Sequence, residues 1–309
     1  MALHGLAHAV IGVPDVDVNR IFYRDFGLVE GTAGRFSTSD GGEQLRLVEQ
    51  PLRGLVEIGI AADDHDDLAR IRRAAQAHGV EVADDGDDVI LAEPVLGFRA
   101  RVTIRPRVEQ VPSPPVLPNR PGVAERGSAR APGIYPPDAV QPRRLGHVLY
   151  ATSDLEASSR FLREVLGFRL TDSVPGVIEF LRCSTDHHNI GLIASPTPHL
   201  HHSSWQVDDV DQIGHGAHRL LGTDPTCDVW GLGRHFLGSN YFWYLRDPAG
   251  NYAEYFADLD QIVDDAEWMA RTWDPDKALY AWGPPVPPAF LEPIDLDELS
   301  AAYVAAGAS

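Results

Sequence analysis

Cysteine is scarce. Cys183 and Cys227 are the only two in 309 residues, too few for a disulfide framework or a cysteine-based zinc site, so any metal here must be held by His, Asp or Glu. Basic residues are also few: 26 Lys and Arg stand against 45 Asp and Glu, a formal net charge of -19. That field repels phosphate backbones and anionic bilayers, so neither nucleic acid nor membrane is an expected partner. No apolar run approaches the ~20 residues that cross a bilayer, and Met1-Ala2-Leu3-His4 lacks the basic and apolar segments of a secretory signal. A cytoplasmic protein is expected. What is present is a 44% hydrophobic composition over a length of roughly two domains, enough for real cores, and 13 histidines that need explaining.

The chain repeats itself. Ala7-His8-Ala9-Val10, then Asp15 and Arg20-Ile21-Phe22-Tyr23-Arg24-Asp25-Phe26-Gly27-Leu28, recurs as Gly146-His147-Val148-Leu149, Asp154 and Arg160-Phe161-Leu162-Arg163-Glu164-Val165-Leu166-Gly167-Phe168, with one residue inserted. Between the copies, residues 106–142 are rich in Pro, Gly and Arg, including Pro112, Pro114, Pro115, Pro118, Pro121, Pro132, Pro136 and Pro137. This composition favours extended chain and marks a linker. The domains predicted are therefore 1–105, a linker 106–142, 143–262, and a tail 263–309.

In the second copy, Leu145–Ala151 reads as a strand. Ser153 with Glu156 forms a capping box for a helix whose apolar face is Leu155, Phe161, Leu162, Val165 and Leu166 and which Gly167 ends. Three β segments follow, at 168–171, 177–183 and 189–194. A second unit repeats the order: strand 201–207, helix 210–221 closed by Gly222, a segment around Cys227 to Trp230, and strands 241–246 and 251–256. The first half has the same grammar, with strands 55–60 and 98–104 flanking a helix over 64–78. Four βαβββ modules in two pairs, an α+β fold, is the architecture predicted.

Among the histidines, the strand His201–Val207 alternates so that His201, Trp205 and Val207 share the apolar face toward the helices, while His202 points to the open polar side. The bland alternative makes His199, His201 and His202 a polar loop entering a strand. His215 and His218 have chelating i, i+3 spacing but sit on the outer face of a short helix and are expected to be solvated. His147 opens one module, His202 the next, and Glu254 lies on the last strand. Two imidazoles and one carboxylate form the facial triad that binds Fe(II), or alternatively Mn(II), and leaves coordination positions open.

Four motifs carry a family resemblance: Leu145-Gly146-His147-Val148, His187-His188-Asn189-Ile190, His201-His202-Ser203-Ser204, and Gly233-Arg234-His235 through Tyr244-Leu245-Arg246-Asp247-Pro248-Ala249-Gly250-Asn251-Tyr252-Ala253-Glu254-Tyr255. Residues 143–260 resemble the catalytic domain of the type I extradiol (catechol meta-cleavage) dioxygenases of the vicinal oxygen chelate superfamily. The resemblance implies two chelate-fold domains with the active site in the C-terminal one, Fe(II) held by His147, His202 and Glu254, His188 as acid/base, and His235 and Tyr244 polarising substrate by donating hydrogen bonds. It also implies a catecholic substrate, O2 as co-substrate and a homo-oligomer. From the residues alone, one of His187 and His188 is a solvated turn residue, His235 a loop histidine and Tyr244 a core tyrosine; Asp247 and Asn251 read as turn residues.

The first half is an internal control. His8 stands where His147 does, Glu57 where His202 does and Arg101 where Glu254 does, and a cation in a ligand position argues against metal there. Two rival functions remain: a silent chelate-fold binding protein, against which the retained acid/base residues argue, and a glyoxalase-like isomerase or lyase, whose fourth protein ligand is not found. In the tail, Trp268, Trp273 and Trp282 are expected to pack onto the second domain; a lid or subunit contact is the alternative.

Overall fold

Alternating apolar residues and aspartate-capped helices set the frame. The structure, a computed structural model, describes residues 3–32, 34–92, 95–135, 139–275 and 279–307. The first half runs β1 (Leu3–Val13), α1 (Val16–Asp25), β2 (Val29–Glu30), β3 (Arg35–Thr38), β4 (Gly42–Glu49), β5 (Gly54–Ala62), α2 (His65–Ala77), β6 (Val82–Asp85), β7 (Asp88–Ala92) and β8 (Arg99–Ile104). The second runs β9 (Arg144–Thr152), α3 (Leu155–Arg160), β10 (Arg169–Val174), β11 (Ile178–Arg182), β12 (Ile190–Ala194), β13 (His199–Gln206), α4 (Val210–Thr223), β14 (Asp228–Arg234), β15 (Tyr241–Arg246) and β16 (Tyr252–Ala257). Each half is thus two βαβββ units, as the repeat predicts.

The sheet orders are β2-β3-β4-β1-β5-β8-β7-β6 and β14-β15-β16-β13-β9-β12-β11-β10-β17, the last strand being β17 (Arg271–Thr272). In each sheet the opening strands of the two units lie antiparallel at the centre, and each pairs in parallel with the closing strand of its own unit. This puts β16, β13 and β9 side by side.

Each of the first four helices starts on an aspartate that accepts a backbone N–H: Asp15 for α1, Asp64 for α2, Asp154 for α3 and Asp209 for α4. The capping box at Ser153 is therefore displaced by one residue, because Asp154 takes the Ala157 N–H at 2.9 Å. After α3 the chain widens into a π-helical turn over Phe161–Leu166, and Gly167, at φ 88°, ends it as expected. Gly222 does not close α4; the helix runs on to Thr223 and stops at Asp224.

One core joins the two halves. Phe26, at the end of α1, stacks on Tyr255 of β16 at 3.9 Å, and the Tyr255 hydroxyl donates to the Phe26 carbonyl at 2.6 Å. Tyr23 donates to Asp247 across the same seam. Gly216 of α4 sits directly over the Tyr255 ring, where any side chain would collide. Trp205 and Val207 join Ile213, Ala217 and Leu220 in this core, and each large ring so buried contributes roughly 2–3 kcal/mol.

His201 departs from the expected alternation. A register shift between Leu200 and His202 against β9 inserts it as a β-bulge, so His201 and His202 both line the cavity on the open face of the sheet. The described part of the linker is mostly exposed and extended, with a 3-10 turn at Pro132–Ile134; Pro136 and Pro137 lie outside the described residues. The tail packs back on the second half: Trp268 donates to the Thr171 carbonyl, Trp273 meets Phe236, and the half-exposed Trp282 meets Tyr241. Two helices follow, α5 (Pro288–Leu291) and α6 (Leu296–Gly307). No described helix is long and apolar enough to cross a membrane.

Candidate metal centre

Register builds the site. Tyr244 of β15 faces Glu254 of β16, Glu254 faces Ser204 of β13, and Ser204 faces His147 of β9, so the four share one row and one face; His202 is two residues along β13. Glu254 Oε2 consequently lies 3.2 Å from His147 Nε2 and 3.4 Å from His202 Nε2. All three residues are buried, and they are the one group of three ligand-type side chains found together among the described residues.

The surrounding hydrogen bonds orient these ligands. Ser204 donates to Glu254 Oε2, and Asn240 donates to its Oε1 at 3.2 Å. His201 Nε2 lies 2.7 Å from the Phe290 carbonyl, which can only accept. Burial drives the His201 pKa down to about 3, against the carbonyl's opposing pull, so the ring is neutral and its Nδ1 is an acceptor. The His202 Nδ1, 2.8 Å away, therefore carries the hydrogen and leaves a lone pair on Nε2. That Nε2 is buried, bonded to nothing and aimed at a carboxylate. A divalent cation fits these donors: two imidazoles and one carboxylate present an unpartnered buried nitrogen lone pair beside a negative oxygen.

The cavity beside these ligands holds about 200 Å³ and is lined by the polar His147, His188, His201, His202, His235 and Tyr244 and by the apolar Leu149, Val177, Ile178, Phe180, Ile193, Leu237, Pro275, Leu279, Phe290 and Leu291. Burial, then the neighbouring imidazoles, hold the His188 pKa well below its ordinary value, so its ring is neutral. Burial and the nearby Glu254 charge push Tyr244 well up, so its phenol keeps its hydrogen. His235 Nδ1 faces the Leu279 carbonyl and its Nε2 lies 2.8 Å from the Tyr244 hydroxyl. In this network His235 accepts from Tyr244 and so positions it, where the family resemblance implied a donor to substrate. A larger polar cleft of about 840 Å³ lies elsewhere, along Leu3–Ala7 and Arg105–Gln110. Its Arg144 is paired with Asp186 and its Arg107 with Asp63, and among the described residues no ligand triad faces it.

Residues 144–255 match the model of the glyoxalase/bleomycin resistance protein/dioxygenase superfamily. Metapyrocatechase 2 of Cupriavidus necator is 34% identical over 94% of this chain and 92% of its own. The chain belongs to the extradiol dioxygenases of that superfamily. An iron-dependent extradiol dioxygenase of Rhodococcus jostii is 33% identical over 45% of this chain and 50% of its own. A Mn(II)-bound glyoxalase from Novosphingobium aromaticivorans superimposes with a TM-score of 0.72 at 24% identity, covering 94% of both chains, a likeness of fold.

Within this dioxygenase, His147, His188, His202, His235 and Tyr244 line one cavity, and Glu254, which does not line it, lies 3.2 Å from His147. Neither His187 nor His188 is solvated: His187 is fully buried under Trp268, with Asp172 at 3.0 Å. His199, His201 and His202 are strand residues, not a loop; His215 bonds the Gly133 carbonyl and His218 is exposed. The pseudo-equivalent spot in the first half holds an ion-pair cluster: His8 Nε2 lies 3.2 Å from Glu57, and Arg101 donates to Glu57 at 2.8 Å and reaches Asp85 and Asp88. Burial raises the Glu57 pKa, but the bonds from His8 and Arg101 outweigh it and hold it near 2. The guanidinium occupies that place. Sequence reasoning missed Ser204, Asn240, Asp172 and the tail residues Leu279 and Phe290; the Ser203-Ser204 pair beside His202 was the one visible signal.

Proposed function

We propose that the chain cleaves the ring of an uncharged catechol beside its two hydroxyls, consuming O2, with Fe(II) held by His147, His202 and Glu254 in the half spanning 143–262, while residues 1–105 are non-catalytic. The observation that carries this reading is the clustering of that triad beside one cavity that His147, His202, His188 and Tyr244 line, in a chain of this family. A divalent iron held there supplies the Lewis acidity and redox chemistry that bring a diol and O2 together. The two-histidine, one-carboxylate donor set and the iron-dependent relative favour iron; the Mn(II)-bound neighbour keeps manganese as the second reading.

With a single carboxylate among the ligands, the metal-loaded site is net cationic and attracts a catecholate. His188, neutral and facing the cavity, takes a proton from a substrate hydroxyl and later returns it. Tyr244, whose hydrogen His235 accepts in the resting site, turns that hydrogen to a developing oxyanion as charge builds there. Among the described residues no Lys, Arg, Asp or Glu side chain lines the cavity to receive a carboxylate, and desolvating such a group unpaired is costly. A ~150 Å³ apolar cavity holds benzene, so about 200 Å³ takes one ring and a small apolar substituent. A cytoplasmic homo-oligomer completes the reading; the two buried, unpaired cysteines accord with a reducing compartment.

The test is a panel of catechols with the iron-loaded protein, following the yellow ring-opened product. Catechol and alkylcatechols should turn over and carboxylated catechols should not. Turnover of the carboxylated compounds alone overturns the substrate class, and no turnover of any catechol overturns the reaction.

A further inference from the structure

Behind His188, on the side away from the cavity, hydrogen bonds continue inward. His188 Nδ1 lies 3.0 Å from His187 Nδ1, and His187 Nε2 lies 3.0 Å from Asp172 Oδ2. All three residues are buried. Trp268 closes over the His187 ring edge-on at 5.4 Å, and Asp172 Oδ1 accepts the Arg271 backbone N–H at 2.9 Å. We infer that Asp172 and His187 are positioning residues that fix the tautomer of His188, so that it meets substrate with a lone pair on Nε2.

The donors set the tautomers one after another. A carboxylate only accepts, so His187 must present N–H at Nε2. In its neutral form His187 has one donor and one acceptor, and its Nδ1 is then the acceptor. The His188 nitrogen facing it must then carry the hydrogen. His188 is left with its lone pair on Nε2, and its ring lines the cavity beside His147 at 4.1 Å between ring centres. The tail is part of the device, because β17 pairs Arg271 with Asp172 and commits one carboxylate oxygen to that backbone N–H. The inference rests on the proposed function for what His188 does in turnover, but its tautomer can be measured without any turnover.

The decisive variant is Asp172→Asn. Its single oxygen is claimed by the Arg271 N–H, so its NH2 faces His187 Nε2 and every donor along the line reverses. His188 then carries hydrogen on Nε2 and cannot accept a proton there. Nitrogen-15 NMR of the histidines in metal-free protein should show His188 as the Nδ1–H form in the natural chain and the Nε2–H form in Asp172→Asn. In the iron-loaded enzyme with an uncharged catechol, kcat should fall by about 100-fold or more, the worth of a correctly protonated acid/base group, with KM and iron content unchanged. Asp172→Ala lets His187 turn either way and should lose less than Asp172→Asn, the opposite of the order a merely structural aspartate gives. An Nε2–H form in the natural chain, or the same form in both proteins, overturns the inference. So does an Asp172→Asn enzyme with undiminished kcat. Should Asp172→Ala not accumulate folded, the NMR comparison decides alone. If the tautomers reverse while the natural protein cleaves no catechol, the positioning pair stands and the functional reading falls.

Discussion

Replacing Phe290 by alanine tests whether the tail is a working wall of the site. The ring is buried between Trp230 and His201, each at 4.7 Å, and Tyr244, also at 4.7 Å, with Tyr252 stacked beyond at 6.2 Å. An aromatic ring of this kind buries ~150–250 Å², which at ~25 cal/mol per Å² is about 4–6 kcal/mol as an upper bound, and buried Phe→Ala changes cost about 3–5 kcal/mol. The tail can lose no more than the free energy that docks it, so a cost of that size should undock the segment before it unfolds the domain. Hydrogen exchange should therefore accelerate through residues 279–291 while the strands β9, β13 and β16 keep their protection. The His201 ring loses the ordered Phe290 carbonyl and the cavity loses one wall, so KM for an uncharged catechol should rise and kcat should fall. Unchanged protection in 279–291, or unchanged KM, refutes the reasoning.

Other consequences follow from the same contacts. Ser204→Ala and Asn240→Ala each free one oxygen of Glu254, and metal competition should show affinity falling about 10–100-fold; unchanged affinity means that the pair does not orient the ligand. Arg101→Ala strips the main partner from the buried Glu57 and should destabilise the protein by about 3–5 kcal/mol in chemical denaturation, with one metal per chain retained. Burial raises the Asp247 pKa to about 6 despite the bonds from Asn251. Its folded value exceeds the ~3.9 of an unfolded chain, so the stability it contributes is full below about pH 4 and is lost as pH rises through about 6. Asp247→Asn should flatten that part of the Tm-against-pH curve, and parallel curves for the two proteins contradict it.

Much of the fold was legible because its signals are local. Strand Tyr241–Arg246 matched residue for residue, and the modular order followed from the repeat alone. His147, His202 and Glu254 were legible because each opens or closes a module, and module ends meet at the sheet centre. What escaped depended on register and on distant chain. The bulge at His201 is a property of pairing with β9, invisible in an alternating string. Asp172 and Asn240 read as ordinary strand and loop polar residues until β10 brings one under His187 and the turn before β15 brings the other to Glu254. Phe290 and Leu279 lie 36 and 25 residues beyond Glu254, and only the path of the tail puts their carbonyls against His201 and His235.

The central claim is that one metal site, in the second half, joins a catechol to O2. The most direct measurement is oxygen uptake by iron-loaded protein given a limiting amount of an uncharged catechol, run beside Glu254→Ala. The account predicts one O2 consumed per catechol by the natural chain and none by the variant, which should also fail to retain iron. No oxygen consumption despite bound iron, or undiminished consumption by Glu254→Ala, would contradict it.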